Sequence, residues 1–372
     1  MKRYQDKINF DEPLLLTYTA LIVVGLVMVY SSSSVLAESR FGSNFFFLKQ
    51  QVMWVVMSVL VMAGMYRIKL DRVAVYSAPA LLLIIFMLSV VFLMPSRNGS
   101  HRWLMLGPLT MQPSELFKFA TVVYLAFSLS NPKRDIKKIK QLLFPYLPII
   151  GVGLLLILME PDLGTAIVIT LTCLGMFFLA GAKISHLFYA LVPSSSLAFF
   201  MVYVMGYKKA RIMDFIAALS DPLKGSYQAK QAALTFGAGG LTGTGLGDGR
   251  QKLFFLPYPH TDFIFAATGE EVGFIGLIIL LSLFFFLLYR SLKISMTQPD
   301  KFGFLLGAGI TISLFLNIAV NLGVVTSLLP ITGLPLPFIS YGGSSLLISS
   351  AAVGLLLNLS KKRGKGTLVW RK

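Results

Sequence analysis

Apolar runs of membrane length recur from one end of this chain to the other, and that recurrence limits the fold more than any single motif does. A segment crossing a hydrocarbon core about 30 Å thick must satisfy its backbone within itself or inside a closed barrel. Barrel strands alternate apolar and polar residues over short stretches, whereas these runs are continuous, so helices are the physical solution. Ten spans are expected: Leu14 to Ala37, Gln50 to Tyr66, Val73 to Met94, Pro113 to Ser130, Leu143 to Met159, Gly164 to Ala182, Leu187 to Gly206, Phe263 to Tyr289, Phe302 to Thr326 and Gly342 to Leu359. No second domain or internal repeat interrupts them. The prediction is an all-α polytopic integral membrane protein, one domain over 1–372, with short tails at 1–12 and 360–372.

The basic residues orient it. With the N-terminus inside, 21 of the 33 Lys and Arg fall in inner segments and 11 in outer ones, Lys118 lying within a span. The positive-inside rule therefore places both termini in the cytoplasm. Most of the +17 net charge is this bias, and no basic, aromatic-laced soluble surface exists to suggest nucleic acid. Seven of the outer basic residues fall in the large loop between spans seven and eight, about 207–262, which suits an anionic ligand or lipid headgroups. The lone Cys173 excludes an internal disulfide, and His101, His186 and His260 show no zinc-ligand spacing.

The outer segments hold the polar chemistry. NGSHRWLMLGPLTMQPSELFK, before the fourth span, reads as an amphipathic stretch at the interface and contains Arg102. Glu115 and Lys118 share one face of the helix that Pro113 opens, either as a self-neutralising pair that holds helices together or as part of a site. The turn Glu160-Pro161-Asp162 brings two carboxylates together; Asp162 by itself reads as a helix cap. GAGGLTGTGLGDGRQK lacks the Walker lysine and the strand-to-helix setting of a nucleotide loop, so it is a packing loop or a backbone approach to phosphate. Asp262 stands where a basic, proline-broken loop meets an apolar run. A carboxylate there meets a lipid-borne substrate near the headgroups, whereas one at mid-membrane is costly. Glu270 and Glu271, deeper in that run, need partners or line an ion path.

HRWLMLGPLTMQPSELFK, EPDLGTA, GLGDGRQKLFFLPYPHTDFIFAATGEE and NLGVVTSLLPITGLPLPFISYGGSS together resemble the motifs of the shape, elongation, division and sporulation (SEDS) family, in order and over most of the chain. The Gly269-Glu270-Glu271 triplet and GLPLPFISYGGSS resemble the division branch more than its elongation sister. The resemblance implies a ten-span peptidoglycan glycosyltransferase that polymerises lipid II on undecaprenyl-linked glycan, at the outer face of the bacterial cytoplasmic (inner) membrane. It also implies a class B penicillin-binding transpeptidase as partner, alongside other division proteins. By motif position Asp262 matches the family's essential aspartate, Glu115 and Lys118 its charged pair, and Asp162 its acidic turn. His260, Ser340 and Gly342 lie within matched motifs and are expected to bind substrate or support the site. Tyr258-Pro259 replaces a glutamate common in the family, which removes a carboxylate there.

That activity asks for a base and a cationic cradle. Asp262 is the expected base, while Lys252, Arg250 and Arg102, or a divalent cation such as Mg or Mn, could stabilise the departing pyrophosphate. No cofactor is otherwise called for, and the metal is unknown. A lipid II flippase and a non-catalytic division scaffold are the competing readings.

Overall fold

A computed structural model describes residues 10–95, 100–106, 109–144, 146–199, 206, 209–220, 225–253 and 255–361. The helices among them are α1 (Glu12–Phe41), α2 (Phe46–Arg67), α3 (Leu70–Val75), α4 (Ser77–Val91), α5 (Pro113–Leu129), α6 (Ile139–Leu143), α7 (Leu147–Met159), α8 (Leu163–Ala180), α9 (Ile184–Phe199), α10 (Lys209–Ser220), α11 (Tyr227–Gly239), α12 (Ile264–Met296), α13 (Lys301–Val325) and α14 (Gly343–Ser360). Ten of these lie where the ten spans are expected. By length and apolarity alone α1, α2, α8, α12, α13 and α14 are long enough to cross a membrane. The other four, α4, α5, α7 and α9, are shorter, and prolines in the first turn open α5 and α7. The expected tails fall mostly outside the described residues.

Helices apolar all round become the centre of a bundle, and α13 and α14 do so here, with α5 packed against both. One end is stapled by Asp11, which caps α1 through the Leu14 amide at 2.9 Å and ion-pairs with Arg290 of α12. The Asp11 amide also donates to the Ser360 hydroxyl at the end of α14.

Three local features depart from plain helices. Where an amphipathic stretch is expected, β1 (Leu104–Leu106) and β2 (Leu109–Met111) pair antiparallel, Leu104 opposite Met111. Gly273 breaks α12 with φ 66° and ψ −172°, a conformation open to glycine but not to other residues. Between α13 and α14, the segment 326–342 folds inward until Phe338 touches the middle of α1. A Cβ on Gly25 would lie 2.4 Å from the Phe338 carbonyl oxygen. Irregular backbone at that depth survives only where protein groups satisfy it, and the groups that do so also build the site.

Candidate active site

Pro257 and Pro259 prevent α12 from extending backward, so the chain reaches Asp262 as a turn and only then becomes helix. Three successive carbonyls in that turn are held from behind. His260 O accepts the Tyr341 amide at 2.8 Å, Thr261 O accepts the Ser340 hydroxyl at 2.7 Å, and Asp262 O accepts the Asn321 amide group at 3.0 Å. The same Asn321 nitrogen donates to Leu334 O at 2.7 Å, and the Ser340 hydroxyl accepts the Leu336 amide at 2.8 Å. The inward-folded segment and α13 thus grip the main chain on both sides of Asp262.

The Asp262 carboxyl itself has no hydrogen-bond or ion-pair partner among the described residues. It is half-buried beside Gly333, whose Cβ position lies 3.5 Å from Oδ2. Burial pushes its pKa up to about 6, helped by Asp162 and opposed by the guanidiniums of Arg211 and Arg102. Desolvation therefore outweighs the positive charge around it.

The acidic turn is built differently. Asp162 caps α8 through the Thr165 amide at 3.2 Å, while its second oxygen accepts the Thr165 hydroxyl at 2.9 Å and the Gln112 amide group at 3.1 Å. Arg102 lies 4.0 Å from that oxygen, and its guanidinium donates to the carbonyls of Glu160, at 2.8 Å, and Pro161. Arg102 is thereby fixed to the turn between α7 and α8 and acts on Asp262 as a nearby charge. The Glu160 carboxyl is fully buried with neither oxygen hydrogen-bonded among the described residues, and burial, reinforced by Asp162, raises its pKa to about 9.

Glu115 and Lys118 form a buried pair, Nζ lying 3.0 Å from both carboxylate oxygens and 3.0 Å from Asn317 Oδ1 on α13. The small cleft beside them is lined by Lys118 and Asn317 but mostly by apolar groups such as Phe119, Val122, Ile310 and Leu314. Lys252 is corrected by the structure: its ammonium is buried against Glu271 at 2.6 Å, so it is not free to receive pyrophosphate. Arg250, by contrast, keeps its side chain exposed.

His260 is buried between the rings of Phe47 and Tyr341, with centroids 4.7 Å and 5.7 Å away. Burial, with help from Arg40, lowers its pKa to about 4, so it is a neutral packing group rather than an acid or base at ordinary pH. Ser340 holds the Thr261 carbonyl, as described. Gly342 starts α14 in extended backbone, φ 175°, and a Cβ there would meet nothing nearer than Pro335 at 3.9 Å. Tyr258, in place of the family's glutamate, is exposed.

Asn321 and Arg211 were not foreseen as site residues. The signal for the first was present, since Asn317 and Asn321 stand one turn apart inside an apolar run, and buried amides there need partners. Arg211 becomes visible only once α10 is placed: it donates to the Ile331 carbonyl at 3.1 Å and so sits at the edge of the inward-folded segment.

The donor set does not fit a protein-held divalent cation. Asp162 has its oxygens taken by Thr165 and Gln112, two guanidiniums already supply positive charge, and no cluster of three metal-ligating side chains forms among the described residues.

These features define a helical, multi-pass membrane protein whose Asp262 carboxyl has no partner among the described residues. The chain belongs to the cell cycle protein family of FtsW, RodA and SpoVE, whose pattern matches residues 12–365. It is 40% identical over 360 residues to stage V sporulation protein E of Bacillus subtilis strain 168, covering 95% of this chain and 98% of that one. It is 39% identical over 357 residues to a protein of Geobacter sulfurreducens named "Probable peptidoglycan glycosyltransferase FtsW", covering 95% and 96%. Among solved structures it resembles a chain described under the structural coordination of polymerization and crosslinking by a peptidoglycan synthase complex. That match has a TM-score of 0.79 at 27% identity, over 96% of this chain and 99% of the other. The rod shape determining protein RodA of Thermus thermophilus is also similar, with a TM-score of 0.71 at 26% identity, over 96% and 100%.

Proposed function

We propose that the protein is a peptidoglycan glycosyltransferase that polymerises lipid II, with Asp262 as general base. One observation carries the assignment of the base. Among the acids grouped here, Glu115 and Glu271 are ion-paired, Asp162 and Glu270 are held by hydrogen bonds and Glu160 is sealed in, while Asp262 alone is both reachable and unengaged by any described residue. In the step, the 4-hydroxyl oxygen of incoming lipid II bonds to the anomeric carbon of the growing strand. Its proton passes to Asp262, and the electron pair of the breaking C–O bond leaves with undecaprenyl pyrophosphate. Arg102 and Arg211 lie near enough to bias the Asp262 carboxyl, and Arg250 is exposed; these described cations are assigned to the leaving charge. Relatives named as peptidoglycan glycosyltransferases support the substrate class.

A base must be ionised to accept a proton. With a pKa near 6, Asp262 is ionised at neutral pH and becomes protonated as the pH falls, so polymerisation should decline through about pH 6. A rate profile on labelled lipid II, taken between pH 4.5 and 8, checks this; an acid limb near the ordinary carboxylate value, about 4, would contradict it.

The site is assigned to the outer face of the bacterial inner membrane, in company with a class B penicillin-binding transpeptidase and other division proteins. The basic asymmetry supports the orientation. In a Cys173→Ser background, cysteines at Ser43 and Ala238 should react with an impermeant thiol reagent added to intact cells, and one at Asn131 should not. Labelling at position 131 would overturn it.

A further inference from the structure

Glu270 and Glu271 are almost completely buried, 1% and 2% exposed, in the outer part of α12. Each reaches into the glycine-rich segment. Glu270 Oε1 accepts the Arg250 amide at 2.7 Å and the Gln251 amide at 3.1 Å. Glu271 receives the Lys252 ammonium at 2.6 Å, the Ser31 hydroxyl of α1 at 2.6 Å and the Gly247 amide at 3.2 Å. Lys252 also donates to the Gly247 carbonyl at 2.7 Å, closing the loop on itself.

Mending the break at Gly273 does not require these carboxylates. Main-chain bonds do that already: Thr244 and Gly245 donate to the carbonyls of Glu270 and Glu271 at 2.9 Å and 3.0 Å, and Phe274 and Ile275 donate to Gly240 and Leu241 at 3.0 Å and 3.1 Å. Backbone approaches backbone so closely that a Cβ on Gly243, itself at φ 82°, would lie 2.2 Å from the Glu271 carbonyl oxygen. The carboxylates reach past that repair to residues 247–252, where the run leading to Asp262 begins. Two buried acids are a costly way to pack a loop, and hydrogen bonds to a charged acceptor are about twice as strong as neutral ones and directional. The run from Leu253 is therefore held at both ends, by the two glutamates at its start and by the gripped carbonyls of residues 260–262 at its finish.

The geometry points to Glu270 and Glu271 as positioning residues for glycan polymerisation: together they fix residues 247–252, setting the chain that delivers Asp262 and orienting the exposed Arg250. The role rests on Asp262 acting as the base. It also replaces the expectation that Lys252 meets pyrophosphate, and it gives the two acids a use other than an ion path.

The test uses the full chain with its transpeptidase partner and labelled lipid II, together with amide hydrogen exchange over residues 244–262. Glu270→Ala should speed exchange at Arg250 and Gln251 about tenfold or more and lower kcat at least tenfold. The acid limb should move below pH 6, because a loosened Asp262 is rehydrated. Glu270→Gln keeps an acceptor and should recover part of each effect; it also serves as the test if the alanine variant does not fold. Glu271→Gln with Lys252→Met removes both charges of the buried pair without orphaning either, and should loosen the same segment. Faster exchange with unchanged kcat and acid limb would reduce the glutamates to packing and overturn the proposal. Unchanged exchange would overturn it too. Polymerisation by Asp262→Asn would instead defeat the underlying reading, whatever the exchange data show.

Discussion

Asp262→Asn, purified with its transpeptidase, is expected to form no glycan ladder from labelled lipid II, a loss of about 10²- to 10⁴-fold for removal of a general base. Asn matches Asp in size and would serve as well in a cap. Capping does not arise in any case: the N-cap position of α12 is Phe263, and no side chain there bonds the helix. The Asp262 main chain is gripped through its carbonyl, which the substitution leaves intact. The variant should therefore keep normal abundance, thermal stability and partner binding while losing the proton acceptor. Substantial ladder formation by folded Asp262→Asn would refute the assignment.

Glu115→Gln and Lys118→Met should each impair the protein severely, and by a different route. The pair is buried, with side chains 3% and 6% exposed, and Asn317 is its described neighbour. Breaking such a pair leaves one charge in an apolar surround and costs roughly 3–5 kcal/mol, whereas removing both partners is often nearly neutral. Thermal unfolding in detergent should thus show both single variants strongly destabilised and the double variant partly restored. If each single variant kept full stability and activity, the pair would be dispensable. Recovery of stability in the double variant without recovery of polymerisation would show that the pair also shapes the site, α5 being packed on both α13 and α14.

The spans were legible because period and length leave a membrane segment few choices. The prominence of Asp262 was legible too, since prolines on one side and an apolar run on the other fix where helix begins. What sequence could not supply was which groups meet across the bundle. Lys252 and Arg250 look equivalent two residues apart, yet one is drawn inward by Glu271 and the other contributes only its amide to Glu270. His260, expected to bind substrate or support the site, has its ring packed against Phe47 and Tyr341, both distant in sequence. Ser340 was expected to contact substrate or support the site, and the bond its hydroxyl makes to the Thr261 carbonyl, far away in sequence, is one that spacing does not reveal. The pairing of Leu104–Leu106 with Leu109–Met111 escaped because three-residue strands carry too little alternation to be told from an interfacial segment.

The grip on residues 260–262 acts on carbonyl groups, which every amino acid carries. Side chains at His260 and Thr261 can therefore drift over evolutionary time without moving the carboxyl they flank, provided the fold around them accommodates the change. The burden of inheritance shifts to Asn321 and Ser340, far along the gene, where few alternatives carry a donor of the right reach.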